Sequence, residues 1–436
     1  MNARAHARSR TAEIRALAAR DLPAAEAALA GLLADLFGLA PEALAINRDA
    51  YSLNSLNGFF EAGGEAFFFK FHQEEGEEAM SGEYYRAEIL ARAGLPVDQP
   101  VHVSRLPGEQ ILVYRRRGEP RFSDVLRALD MADDPAGRAE AVAAERGLAD
   151  RLAAVYRATL HPITPAQSAA EAVHRLFHER IVARGTGAFP GGRLKDFYLG
   201  QDFAFPGLSL RWEELAEMRF EVNGQRYARP LGALFAAAHG RLDPRRLADA
   251  GGVVAHGDAH NANVWYARTP DGPALSMFDP AFAGADVPAL LAEVKSTFHN
   301  VFAHPFWLYD PAEASARFSA TARRAGGVLV VETDWTLSPV RRALLAVKAE
   351  RVWRPLLADL AARGLLPPDW REVMRLALFL CPTLVMNLRA GAQGHTPTSS
   401  LIGLSVAAMV GSEPEQGADL VTDFLDAITP AGTTPC

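Results

Sequence analysis

The hydrophobic rhythm of this chain changes once, near Arg115-Arg116-Arg117-Gly118, and that change restricts the available folds more than any other feature. Between about Leu44 and Tyr114 short apolar runs are separated by turn residues, which predicts strands at residues 45–51, from Phe59 onward, and at 66–72, 102–104 and 110–114. A loop is expected at 52–58. One helix is expected at 83–93, ending at Gly94 with Pro96 beyond it. After Gly118 the apolar spacing is mainly helical, with 135–160, 340–363 and 370–388 the longest candidates. Strands collected in one segment and helices in another predict an α+β chain. The expected division is a helical N-terminal extension (residues 1–44, broken near Asp21-Leu22-Pro23), a small sheet-bearing part (45–117) and a larger helical part (118–436).

Composition narrows the functional classes. With 49% hydrophobic and 22% charged residues the chain is that of a folded globular protein. A net charge of -7 offers no broad basic surface for nucleic acid and mildly favours a cationic substrate. No apolar run is long enough to span a bilayer, and MNARAHARSR has no apolar stretch behind its charges, so no membrane partner and a cytoplasmic location are expected. The two cysteines, Cys381 and Cys436, form no disulfide or zinc pattern. Of 45 basic residues only Lys70, Lys195, Lys295 and Lys348 are lysines. Arginine is the default cation.

The chemistry is concentrated in His256-Gly257-Asp258-Ala259-His260-Asn261-Ala262-Asn263, a polar loop between short apolar runs at 252–255 and 264–267. A third run, 275–278, follows the turn Thr269-Pro270-Asp271-Gly272 and leads into Asp279. Phosphoryl transfer needs a carboxylate to orient the attacking hydroxyl and oxygen ligands to hold Mg²⁺ against the phosphates. Asp258, Asn263 and Asp279 can supply those parts. Two other readings use the same residues: a polar turn with satisfied histidines, and a metallohydrolase site built from His256, Asp258 and His260.

His256-Gly257-Asp258-x-His260-x-x-Asn263 resembles the catalytic loop of the aminoglycoside phosphotransferase and choline kinase superfamily, and Phe278-Asp279 resembles its metal-binding aspartate. The resemblance covers about residues 45–300. It implies a protein-kinase-like two-lobed fold, with a small mixed α/β N-lobe, a larger mainly helical C-lobe, and the nucleotide and Mg²⁺ between them. Its activity would be transfer of the γ-phosphoryl of ATP or GTP to a hydroxyl of a small acceptor: an aminoglycoside, amino alcohol, sugar or specialised metabolite. Asp258 would be the catalytic base, Asn263 and Asp279 the Mg²⁺ ligands, His256 a structural residue and His260 a loop-shaping one. The chain departs from the family pattern at Pro280 and at Gly284-Ala285-Asp286-Val287-Pro288, where Asp286 is expected to be structural. A catalytically weak kinase-like binding protein is the further alternative.

Lys70, within Ala66-Phe67-Phe68-Phe69-Lys70-Phe71-His72, is an ion in an apolar run and so needs a partner or a route to solvent. A compact ammonium there suits phosphate oxygens and a carboxylate. Glu83, on the face of Ala87 and Leu90, is the expected partner ahead of Glu88. The resemblance puts the 52–58 loop, with Asn57 and Gly58, over the nucleotide phosphates, and the adenine hinge at 110–116, including Tyr114. For the acceptor, Glu213, Glu214, Glu217 and Glu221 are either an amine-binding group or a solvated face, and His299, His304, Trp307 and Tyr309 either line an apolar or sugar-binding wall or, as the favoured reading, serve packing.

Overall fold

The computed structural model of the protein describes residues 9–47, 55–72 and 86–432. The chain divides into one compact unit of residues 1–88 and 97–119 and a second of residues 89–96 and 120–436.

The first unit is a five-stranded antiparallel sheet with helices. α1 (Arg10–Ala18) begins at the Ser9 cap, and α2 (Leu22–Phe37) begins where the Asp21 carboxylate accepts from the Ala24 N–H beside Pro23. Gly38, at φ 66°, closes α2. The strands β1 (Glu42–Ile46), β2 (Ser55–Ala62), β3 (Glu65–His72), β4 (His102–Ser104) and β5 (Ile111–Arg115) lie in the order β1-β2-β3-β5-β4, and α3 (Arg86–Arg92) precedes β4. Along β3 the period of two turns Phe67, Phe69 and Phe71 to the core, where they cluster with Phe60, Ile111 and Val113 and with Ile14, Ala25, Leu29, Leu32 and Leu33 of the two helices. Each such buried side chain contributes roughly 1.5–3 kcal/mol. The N-terminal helices are therefore part of this unit's core rather than an appendage to it.

β2 begins at Ser55, so Asn57 and Gly58, expected in a loop, lie in a strand. The 52–54 part of that loop is outside the described residues. Gly58 is required by packing: a Cβ there would stand 2.0 Å from the Ala45 carbonyl oxygen and 2.8 Å from the Phe69 ring.

The second unit is mainly helical, built around Pro135–Thr159, Trp370–Val385 and Pro397–Gly411, the last two packed on each other. Residues 339–362 form a nearly continuous helix whose middle, Lys348–Trp353, widens to a π-helix. The short strand Gly252–Ala255 pairs with Gly284–Pro288, and Val264–Thr269 pairs with Gly272–Met277. Helices do not account for the whole of the region beyond Val287. The hairpin Ala320–Ala325 with Val328–Thr333 adds Arg219–Val222 in parallel, making a four-stranded sheet that also includes Gln225–Arg226. Its alternation is hidden in Val328-Leu329-Val330-Val331, all buried, a run that reads equally as helix core. Asn223-Gly224, a pair that favours a two-residue turn by its chemistry, makes a tight turn between two of these strands, with both residues at positive φ. Among the described residues no helix is long and apolar enough to cross a membrane.

Candidate functional site

The polar loop is held at both ends by backbone pairing. Val264 is opposite Met277 in the hairpin, and the Phe278 N–H donates to the Asn263 carbonyl at 3.0 Å, so Asn263 and Asp279 emerge at the same end of two paired strands. His256, buried, joins this end to the neighbouring strand: its Nε2 lies 2.9 Å from the Phe278 carbonyl and its Nδ1 accepts the Asp258 N–H at 3.3 Å. Only the Nε2–H tautomer satisfies both contacts. Burial lowers its pKa, which keeps the ring neutral. Gly257 sits at φ 76°, and a Cβ would stand 2.7 Å from the Phe282 carbonyl oxygen, so the turn into Asp258 admits no side chain.

Asp258, Asn263 and Asp279 are thereby gathered. The Asn263 Nδ2 donates to the Asp258 carbonyl at 3.0 Å, which orients the amide and leaves its oxygen as an acceptor. Asp279 holds a left-handed backbone at φ 54°, a conformation costing roughly 1–3 kcal/mol in a residue with a Cβ. An amide oxygen and a carboxylate at the same end of two paired strands form the hard donor set that Mg²⁺ takes. His260 shapes the loop, its Nδ1 accepting the Ala262 N–H at 3.3 Å while its Nε2 stands 4.0 Å from Asp258 Oδ2. With both nitrogens of His256 engaged by the backbone, a His256/Asp258/His260 metal site has lost a ligand, and among the described residues no group of three His, Cys, Asp or Glu side chains is arranged to hold a metal.

A buried polar network that sequence reading did not assemble surrounds Asp258. Asp258 Oδ1 is buried without a hydrogen-bond partner, and Lys295 Nζ, itself buried, is 3.8 Å from it. Lys295 Nζ contacts His299 Nε2 at 2.9 Å, and His299 Nδ1 meets the Tyr309 hydroxyl. An ammonium can only donate, so His299 Nε2 accepts, Nδ1 carries the proton and Tyr309 Oη accepts it. Burial lowers the pKa of both Lys295 and His299. Lys295 is placed by Glu293, two residues earlier, which takes a 2.8 Å contact from Lys348 and hydrogen bonds from Tyr156 at 2.5 Å and Ser296 at 2.6 Å. Asn300 Oδ1 accepts the Asn261 N–H at 2.7 Å and ties the loop to the same segment. His299 and Tyr309 thus have polar roles where packing was expected, while Trp307 is packing, its Nε1 donating to the Phe302 carbonyl at 2.9 Å. One sequence signal pointed here: a chain that prefers arginine used lysine at both 295 and 348.

Other expected groups separate. Glu213 accepts the Gly200 N–H, Glu214 pairs with Arg324 and Glu221 with Arg226, so these carboxylates serve surface ion pairs. Asp286 is structural, with Oδ1 2.8 Å from His161 Nε2 and its N–H donating to Glu171 at 2.8 Å.

In the first unit, Lys70 pairs with Asn57 and Leu112, and Phe68 with Tyr114. Directly opposed residues share a face, so Asn57, Lys70 and Tyr114 lie on one face of the sheet and Gly58 on the core face. Lys70 is on β3, a central strand, so it is not an edge lysine. Glu83 lies outside the described residues; Glu88 is exposed on α3.

No family model matches the chain, and no curated protein matches it. Solved structures do. A spectinomycin phosphotransferase in complex with ADP and spectinomycin is 10% identical, with 87% of this chain and 98% of that one covered at a TM-score of 0.35. A thermostable mutant of an aminoglycoside phosphotransferase, in a ternary complex with ADP and hygromycin B, is 14% identical, covering 88% and 98% at 0.41. An ethanolamine kinase of Plasmodium vivax is 9% identical, covering 84% and 81% at 0.35. By their names two of these are phosphotransferases and one is an ethanolamine kinase.

Proposed function

We propose that the protein is a small-molecule kinase that transfers the γ-phosphoryl of ATP or GTP to a hydroxyl of a small acceptor. The observation that carries the reading is the loop itself: a buried Asp258 oxygen with no hydrogen-bond partner, beside Asn263 and Asp279 on paired strand ends. In the reaction the acceptor oxygen forms a bond to the γ-phosphorus, the bond from that phosphorus to the β–γ bridging oxygen breaks, and the hydroxyl proton passes to the Asp258 carboxylate. Asn263 and Asp279 would hold Mg²⁺, which neutralises phosphate charge when bound. Lys70, with Asn57 and Tyr114 on its face of the sheet, is assigned to the nucleotide, Gly58 contributing backbone only and Glu83 serving as the lysine's partner. His256 and Gly257 orient the loop and His260 shapes it.

Nucleotide consumption measured with Mg²⁺ and ATP or GTP across acceptor classes tests this. Asp258→Asn is expected to reduce transfer by roughly 10²–10⁴-fold while nucleotide binding persists, and Asp279→Ala to abolish the Mg²⁺ dependence of binding. Normal turnover by Asp258→Asn would remove the assignment. Mg²⁺-dependent nucleotide binding with no turnover on any acceptor would favour a binding protein instead.

A further inference from the structure

Among the described residues the buried cations meet a carboxylate within 2.8 Å, with one exception. Among the described residues Arg241 reaches Asp369 at 2.6 Å, Arg341 reaches Asp130 at 2.6 Å, Lys348 reaches Glu293 at 2.8 Å and Arg375 reaches Glu413 at 2.6 Å. Lys295, equally buried, has only Asp258 Oδ1 at 3.8 Å and spends its hydrogen bond on a neutral histidine. Two arginines add to it. Arg180 donates to the Leu384 carbonyl at 3.4 Å, and Arg193 donates to the Leu384 and Val385 carbonyls at 2.8 and 3.2 Å, at the end of the helix Trp370–Val385. Among the described residues neither arginine, each partly buried, has an ion-pair partner, and the helix terminus offers each only a fraction of a charge.

Lys295 therefore leans on the one carboxylate that the reaction requires for the acceptor's proton, while Arg180 and Arg193 meet at the Leu384 carbonyl. A buried ammonium whose carboxylate is taken up by proton transfer is left without a counter-charge, and a further anion would supply it. Its place is beside the unpartnered Asp258 Oδ1, where Lys295 Nζ stands 3.8 Å away and the positive charge of Arg180 is felt by both side chains. Tyr309 adds a neutral donor, since its oxygen accepts from His299 and its own proton remains to be given, with the residue 46% exposed.

Resting on the kinase reading, we propose that the acceptor is anionic: a carboxylate or phosphate on it binds Lys295 and Arg180 while its hydroxyl meets Asp258. This local field has the opposite sign to the net charge of -7, which favours a cation. Titration of nucleotide-free protein, followed by thermal shift, tests it with glycerate and gluconate, with glycerol 3-phosphate and glucose 6-phosphate, with glycerol and glucose, and with ethanolamine and kanamycin. The expected result is that the anionic compounds bind at least about tenfold more tightly than their neutral counterparts, as charge-assisted hydrogen bonds provide. Lys295→Met and Arg180→Met should each remove that preference; circular dichroism identifies a variant that fails to fold, and the other then decides. The carboxylate and phosphate arms identify which anion is preferred. Equal response to all classes, absence of response included, overturns the proposal, as does a folded variant that keeps the preference. It is also overturned if both variants lose Mg²⁺-nucleotide affinity as fully as anion affinity, because the cations would then serve the nucleotide. Mg²⁺-nucleotide binding by the unmodified protein is read separately, and its absence would fall on the kinase reading alone.

Discussion

At the scale of single residues, the site depends on buried charges whose positions are fixed by other buried charges. Lys348 joins Glu145 at 3.2 Å and Glu293 at 2.8 Å, all three buried, and Glu293 in turn fixes the turn that presents Lys295. Glu293 has its pKa lowered: burial opposes this, and the charge and hydrogen bond of Lys348 together with the hydrogen bonds of Ser296 and Tyr156 outweigh it. Removing the lysine leaves two carboxylates buried without a cation. Lys348→Met is expected to destabilise the second unit by about 3–5 kcal/mol, read as a lower urea midpoint; an unchanged midpoint would show that the carboxylates find another partner. Gly257→Ala tests the loop at the same scale. Its left-handed backbone and the Phe282 carbonyl at 2.7 Å from an added Cβ both oppose a side chain, so Asp258 should move and transfer should fall even where the melting curve changes little. Wild-type turnover by that variant would contradict the geometry.

At the scale of elements, β2 shows how pairing overrides local composition. Ser55 and Asn57 are poor strand formers, yet each faces a residue of β3, His72 and Lys70, in an unbroken register from Ser55 to Ala62. The phenylalanine-rich β3 is a strand by its own pattern and imposes pairing on its weaker neighbour. Gly58 is where this pairing is tightest, between the Ala45 carbonyl and the Phe69 ring. Gly58→Ala is expected to destabilise the first unit by about 1–3 kcal/mol through overpacking, measured by denaturation with nucleotide absent. A variant of unchanged stability but weakened nucleotide binding would instead return Gly58 to a phosphate-covering role.

For the whole molecule, the balance of buried histidines sets a pH dependence. Burial lowers His174 and His395 to about 4, against about 6.5 in the unfolded chain. Above 6.5 neither state binds these protons. As pH falls from 6.5 toward 4 the unfolded state takes them up first, so stability decreases by up to ~1.4 kcal/mol per pH unit for each histidine. His161 runs the other way, raised chiefly by the Thr159 carbonyl and also by Asp286, but it is partly exposed and its effect is screened by water. Urea midpoints at pH 7.5 and 5 should therefore show the protein weaker at 5, and a higher midpoint at 5 would contradict the burial of these rings.

What the sequence by itself determined is what depends on neighbours along the chain. The division into a strand-rich and a helical part, the turn at Asn223-Gly224, and the placing of Asp258 and Asn263 on one short loop are of this kind, because spacing and turn chemistry act over a few residues. The return of Asp279 to that loop was legible as well, since a hairpin of matched strands leaves little choice. The tertiary structure alone decided that Lys295, His299 and Tyr309 meet beside Asp258, and that α1 and α2 complete the core under β3. Those contacts join distant segments, and they arise from how helices pack and which way buried side chains turn, which no local pattern encodes. The sign of the charge beside Asp258 follows from that packing, against the sign of the chain as a whole.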